Sequence, residues 1–126
     1  MKQEDKELLL KDLSSRLLYN CRVFYEYIDN LDNKTYGYSL TLNTWCIDEF
    51  IANKAVIKPY LRPMSSMTEE ERKEYELLAN HCIVTSIGFI HLEAAPLIDW
   101  LNTHHFDFRN LIERGLALEA LEGMYK

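Results

Sequence analysis

Apolar residues over the first eighteen positions recur with a helical period. Leu10, Leu13 and Leu17 form one stripe, and Leu9 and Leu18 widen it. Glu4, Asp5 and Glu7 crowd the first turn and Arg16 the last, the order a helix dipole favours, so a helix is predicted over residues 3–18. From Cys21 the period drops to two. Cys21, Val23, Tyr25 and Tyr27 alternate with Arg22, Phe24, Glu26 and Ile28. After a polar cluster at residues 29–34, Tyr36, Tyr38, Leu40 and Leu42 alternate with Thr35, Gly37, Ser39, Thr41 and Asn43. That pattern predicts an antiparallel hairpin with one face on a core, joined by a loop too long to fix its register.

Residues 45–51 fit a third strand and a short helical turn equally well. Residues 55–58 read as a short edge strand that Pro59 ends, since proline has no N–H for a sheet ladder. Thr68 and Glu71 stand at capping-box spacing, so a helix is predicted from Thr68 to about Asn80. Residues 83–90 are apolar and β-branched, the pattern of a strand buried on both faces, with Gly88 at a bulge or close backbone contact. A third helix is expected over 95–104, with Pro96 near its start. A last amphipathic piece follows over 110–120, which Gly115 either breaks or caps.

These elements predict a single α+β domain over residues 1–126. An antiparallel sheet of about three to five strands is covered by the N-terminal helix, the central helix and a C-terminal helical region. Its core draws on Leu10, Leu13, Leu17, Val23, Leu40, Ile57, Leu77, Ile83, Ile87, Leu97, Ile98, Leu101 and Leu111.

Composition narrows the function. Hydrophobic residues are 48% and charged residues 27%, the balance of a globular chain rather than a disordered one. The net charge is −6. Residues 1–60 hold eight Lys/Arg against nine Asp/Glu, and residues 61–126 hold six against eleven. An acidic chain disfavours general nucleic-acid binding, although Lys54, Lys58 and Arg62 form a local basic strip. Cys21, Cys46 and Cys82 are odd in number and lack a CxxC pair, which fits free thiols in a reduced cytoplasm. The charged N-terminus does not resemble a signal peptide, and no apolar run nears the about 18 residues that span a bilayer. No membrane association is expected.

Candidate chemistry is sparse. His104, His105 and Asp107 form the most metal-like cluster, with His81, Cys82 and His91 elsewhere. Adjacent histidines on a helix diverge by about 100°, however, so they seldom share an ion with one partner. The plainer reading has both histidines closing a helix and Asp107 supporting a turn. Cys82 beside His81 opens an apolar run, which fits a buried thiol better than a nucleophile. Most of Glu69, Glu70, Glu71, Glu74 and Glu76 read as a solvated helix face, since a catalytic carboxyl needs burial to raise its pKa. Neither a phosphate-binding glycine loop nor a nucleophile elbow is present. No enzyme activity, metal or cofactor is expected. Tyr60, Leu61 and Arg62, extended between prolines, read equally as a docking strip and as a brace. Trp100 and Phe106 are further candidates for a partner-binding patch.

Residues 58–71 (KPYLRPMSSMTEEE), 99–109 (DWLNTHHFDFR) and 111–120 (LIERGLALEA) resemble segments shared by a set of short proteins from gut Bacteroidetes and their phages or prophages. The likeness covers about half the chain. It implies a mobile-element origin and brings no activity, cofactor or catalytic residue with it. The expected function is a small non-enzymatic accessory protein that binds a protein partner or itself. The rival is a nucleic-acid-associated regulator using Lys54, Lys58 and Arg62.

Overall fold

Leu9 and Leu13 reach zero exposure and anchor α1 (Gln3–Arg16) in one cluster with Val23 and Ile57 of the sheet. Leu10 and Leu17 pack at the margin of that cluster, while Leu18 lies outside the helix and is exposed. The computed structural model of the chain describes residues 1–86 and 95–125, with side chains outside 81–86.

Asn20, in the left-handed region at φ 55°, turns the chain into β1 (Arg22–Ile28). The loop after β1 closes on its own aspartates. Asp29 accepts the Leu31 N–H at 2.7 Å and Asp32 the Lys34 N–H at 3.0 Å, with Asn33 at φ 59°. The hairpin register pairs Val23 with Leu40, Tyr25 with Tyr38 and Tyr27 with Tyr36 across to β2 (Thr35–Thr41).

Residues 45–51 resolve as helix α2 (Thr44–Ile51), because the Asn43 side chain accepts the Cys46 N–H at 2.9 Å and caps its start. Cys46, Ile47 and Phe50 face the core. Lys6 of α1 bonds the Ile51 carbonyl at 3.3 Å and lies over the Phe50 ring.

β3 (Ala55–Leu61) corrects the expectation of a strand stopped by Pro59. It continues through the proline and lies inside the sheet, in the order β2-β1-β3-β4. The pairing explains why. The Leu42 N–H bonds the Cys21 carbonyl, so backbone groups of odd-numbered β1 residues point toward β2. Val23 therefore meets Pro59 in a non-hydrogen-bonded pair, and the missing N–H faces away from β1. On that far side β4 (Leu118–Glu119), parallel to β3, pairs only with Tyr60 and Leu61. The sheet is mixed, four-stranded and open.

A 3-10 turn (Met64–Ser66) leads to α3 (Glu69–Ser86). The capping box forms as predicted. Thr68 Oγ1 accepts the Glu71 N–H at 3.1 Å, and Glu71 accepts the Thr68 N–H at 2.9 Å. The helix outlasts its expected end. Residues 83–86, expected to begin a strand, stay helical because extending a nucleated helix costs less than the β-branched preference of those residues. Residues 87–90 of that expected strand, Ile87 and Gly88 included, lie outside the described residues, as does the Ile83 side chain. Leu77, expected in the core, is 73% exposed, because α3 meets α4 (Ala95–Thr103) rather than the sheet. Leu101 of α4 is buried, while Leu97 and Ile98 are half-buried. The helical piece expected over 110–120 is instead a set of turns ending in β4. Asp107 takes the Leu111 and Ile112 N–H groups at 2.8 and 2.9 Å, and Gly115 sits at φ 76°. No helix among the described residues is long and apolar enough to cross a membrane.

A buried charge cluster ties α1 to the chain after α4. Asp12 and Arg16, both at zero exposure, pair at 2.9 Å. Arg109 bonds the second Asp12 oxygen at 2.7 Å, and Arg16 Nη2 bonds the Phe106 carbonyl at 2.7 Å. Asp12→Ala strands two guanidinium groups and is expected to destabilise the fold by about 3–5 kcal/mol in urea unfolding. A loss below about 1 kcal/mol would show that the cluster contributes little.

Candidate functional site

Arg62 leaves β3 at the point where the chain turns toward α3, and both its side chain and its backbone hold it there. Its guanidinium grips Glu71 with both ends, at 2.8 and 2.7 Å, and lies 4.3 Å from the Phe106 ring centre. Its backbone bonds the His105 carbonyl and the Asp107 N–H at 2.8 and 2.9 Å, a parallel bridge to Phe106. Arg62 holds the Glu71 carboxyl down at about 2, with the Thr68 backbone adding to the effect. A carboxyl so firmly ionised has no proton to give near neutrality, which suits a helix cap rather than an acid catalyst.

The five expected partner-binding residues cluster around this joint, and most face inward. Tyr60, Leu61 and Phe106 are buried, since β3 extends through residues 60–61 and buries that strip. Tyr60 sends its hydroxyl to Ser39 Oγ at 3.0 Å. Trp100 is half-buried. Its Nε1 donates to Glu74 at 2.8 Å, and its ring lies between Tyr75, His104 and Phe106. Those contacts join α4 to α3. The basic strip is divided, with Arg62 paired to Glu71, Lys58 on the open sheet face and Lys54 in the preceding turn.

His104, His105 and Asp107 do not converge. His104 Nδ1 meets the Trp100 carbonyl at 2.9 Å, and Asp107 is committed to its turn. His105 stacks on Tyr125 at 3.6 Å in the left-handed region at φ 62°. Burial, then the charge of Arg16, pushes its pKa down to about 4, and its buried Nδ1 has no partner among the described residues. No group of three metal-ligating side chains comes together among the described residues. Tyr125 accepts the Arg22 N–H at 2.8 Å and donates to the Tyr60 carbonyl at 2.6 Å, closing the tail over β1 and β3. Beside it Cys21 is a buried thiol, pushed up to about 11 by burial, and Cys46 is likewise buried. Cys82 and the histidines His81 and His91 lie outside the described side chains.

Two of the features open to solvent among the described residues bear on function. One is a cavity of about 500 Å³ lined by Asn20, Arg22, Arg62, Thr103, His104 and Tyr125, among others. The other is β2, the outer edge of the sheet. All of β2 except Leu40 is exposed, and it carries no charged residue and no proline. On its core-side face Tyr36, Tyr38 and the following Trp45, each 41–48% exposed, continue a row of rings from Tyr25 and Tyr27. On the opposite face Phe24 lies against Gly37, where an added Cβ would fall 2.3 Å from the ring. Sequence reading passed over this edge, although the uncharged run from Thr35 to Thr41 was visible there.

Compared with protein-family models, with curated proteins and with solved structures, the chain matches none.

The shifted groups give two acid windows. His105 titrates at about 4 against an ordinary 6.5, so its neutral ring supports the fold fully above pH 6.5 and that support fades toward pH 4. Glu71 titrates at about 2 against 4.5, so its pairing is complete above pH 4.5 and is lost toward pH 2. In denaturant unfolding at stepped pH, Glu71→Gln should lower stability at neutral pH by about 2 kcal/mol, a gap that closes on acidification. His105→Asn, which suits positive φ, should flatten the wild-type decline between pH 6.5 and 4. Parallel curves for wild type and both variants would refute these assignments.

Proposed function

We propose that this protein is a non-enzymatic interaction module that works by adding its β2 edge to a strand of another polypeptide, a second copy being the partner its register fits. A single observation carries this reading: the longest exposed sheet edge is uncharged and bordered by aromatic rings. Soluble proteins ordinarily guard such an edge with lysine, proline or a bulge, because its unpaired N–H and C=O groups recruit other strands.

The register favours self-pairing. Even-numbered β2 residues bond to β1, so the backbone groups of Thr35, Gly37, Ser39 and Thr41 point outward. Antiparallel pairing about a two-fold axis at Tyr38 opposes Gly37 with the partner's Ser39 and Thr35 with the partner's Thr41. The whole strand is then used. Tyr38 meets the partner's Tyr38 in a close non-hydrogen-bonded pair, a geometry that brings rings together. Copies of a chain with net charge −6 repel, and an uncharged edge is where they meet at least electrostatic cost. A mobile-element origin, as the resemblance of residues 58–71 and 99–109 implies, accords with a small accessory protein of this kind.

Sedimentation equilibrium of the wild type is expected to show a concentration-dependent mass approaching twice 14.9 kDa. Ser39→Pro removes an outward N–H without touching the β1 ladder, and Tyr38→Lys places a charge at the two-fold axis. Each should weaken association about tenfold or more while keeping the fold by circular dichroism. A wild type monomeric at all concentrations would rule out the second copy and leave the edge to a different strand.

A further inference from the structure

The cavity lies away from the aromatic row, where the start of β1, the end of β2, the end of β3, the start of α3, the end of α4 and the tail meet. Its walls are unusual for so acidic a chain. Arg22 and Arg62 both line it, with Asn20, Thr41, Thr103 and His104, and Glu71 is the one carboxylate among the described lining residues. Glu71 is already committed, holding Arg62 with both oxygens and capping Thr68.

We propose that this cavity binds a small oxyanion, a phosphate group with a compact organic body being the chemistry it fits. Arg22 is the principal donor. Among the described residues its guanidinium makes one hydrogen bond, to Thr41 Oγ1 at 3.1 Å, out of the five N–H groups that arginine offers. A planar fork with unused donors takes phosphate oxygens in pairs, and neighbouring hydroxyl and amide groups complete such a shell. Arg62 forms a fixed wall beside it, its charge already matched by Glu71 and its plane held against the Phe106 ring.

Two further observations mark the site. His105 borders the cavity in the left-handed region at φ 62°, the one non-glycine residue there among the described residues that is not an asparagine. His105 Nδ1 is buried and has no partner among the described residues, an arrangement that packing alone does not favour. The volume of about 500 Å³ exceeds that of a bare phosphate and matches a small metabolite.

Isothermal titration with pyrophosphate and, separately, citrate tests this on the full chain. Saturable one-to-one binding of pyrophosphate, tighter than that of citrate, is expected. Arg22→Gln should weaken it about tenfold or more, whereas Lys58→Gln, outside the cavity, should leave it unchanged. Amide shifts in the wild type should centre on Asn20, Arg22, Thr103 and His104, a readout that needs no variant to fold. Absence of saturable heat at about 10 mM of either anion overturns the site. So does undiminished binding by folded Arg22→Gln, or shifts scattered over the surface lysines. Citrate binding more tightly than pyrophosphate overturns the phosphate assignment.

Discussion

Asp12 and Arg16 stand one helical turn apart on α1 with no exposure to water, and neither charge is stable there alone. Removing an ion from water costs several kcal/mol, offset only by close, well-aligned partners. The partners come from far along the chain. Arg109 closes on Asp12, the Phe106 carbonyl takes Arg16 Nη2, and the Phe108 ring lies 5.2 and 4.4 Å from the two guanidinium carbons. Residues 106–109 are thereby fixed against the first helix. On their other side, the backbone of Arg62 bonds His105 and Asp107. A short stretch after α4 is thus held between α1 and β3, and the tail, the cavity and the base of the α3–α4 pair take their places from it.

Arg62 acts as the second fastening. One side chain caps α3 through Glu71, covers Phe106 and lines the cavity. The expected docking strip at residues 60–62 is therefore a structural joint whose exposed part is a charge already in use. Lysine cannot replace that arginine, because the bidentate grip on Glu71 and the flat stack on Phe106 both need a planar guanidinium.

The α+β class was legible in the sequence, as were the first helix, the hairpin and the capping box, because each rests on local periodicity or short-range side-chain chemistry. The misses were matters of partnership. Pro59 read as a stop because its tolerance depends on which side of β3 its absent N–H faces, and only the β1–β3 register fixes that. Residues 83–86 read as strand by composition and followed the helix nucleated at Thr68. Leu77 looked like core by pattern, yet α3 meets α4 instead of the sheet. Asn43 did carry a local signal for α2, since asparagine before a helix is a common cap, but the apolar run after it suited a strand equally. The candidate sites were least legible. Arg22 sits in a period-two run as one more polar residue, and the cavity appears only where six segments converge. The β2 edge was visible as an uncharged run, but nothing local says that no neighbour among the described residues covers it.

Thr41 connects the two proposed surfaces. It ends β2, holds Arg22 at 3.1 Å, and lines the cavity. Its backbone groups also point outward, where strand pairing about Tyr38 would engage them with the partner's Thr35. An oxyanion held by the unused N–H groups of Arg22 also bears on Thr41, the last residue of the edge strand. A partner strand that fixes Thr41 in turn sets the starting position of Arg22. Whatever one event does to the affinity of the other must hold in reverse, because linkage between two binding equilibria is reciprocal. The hydrogen bond from Arg22 to Thr41 is the physical contact through which such coupling would pass.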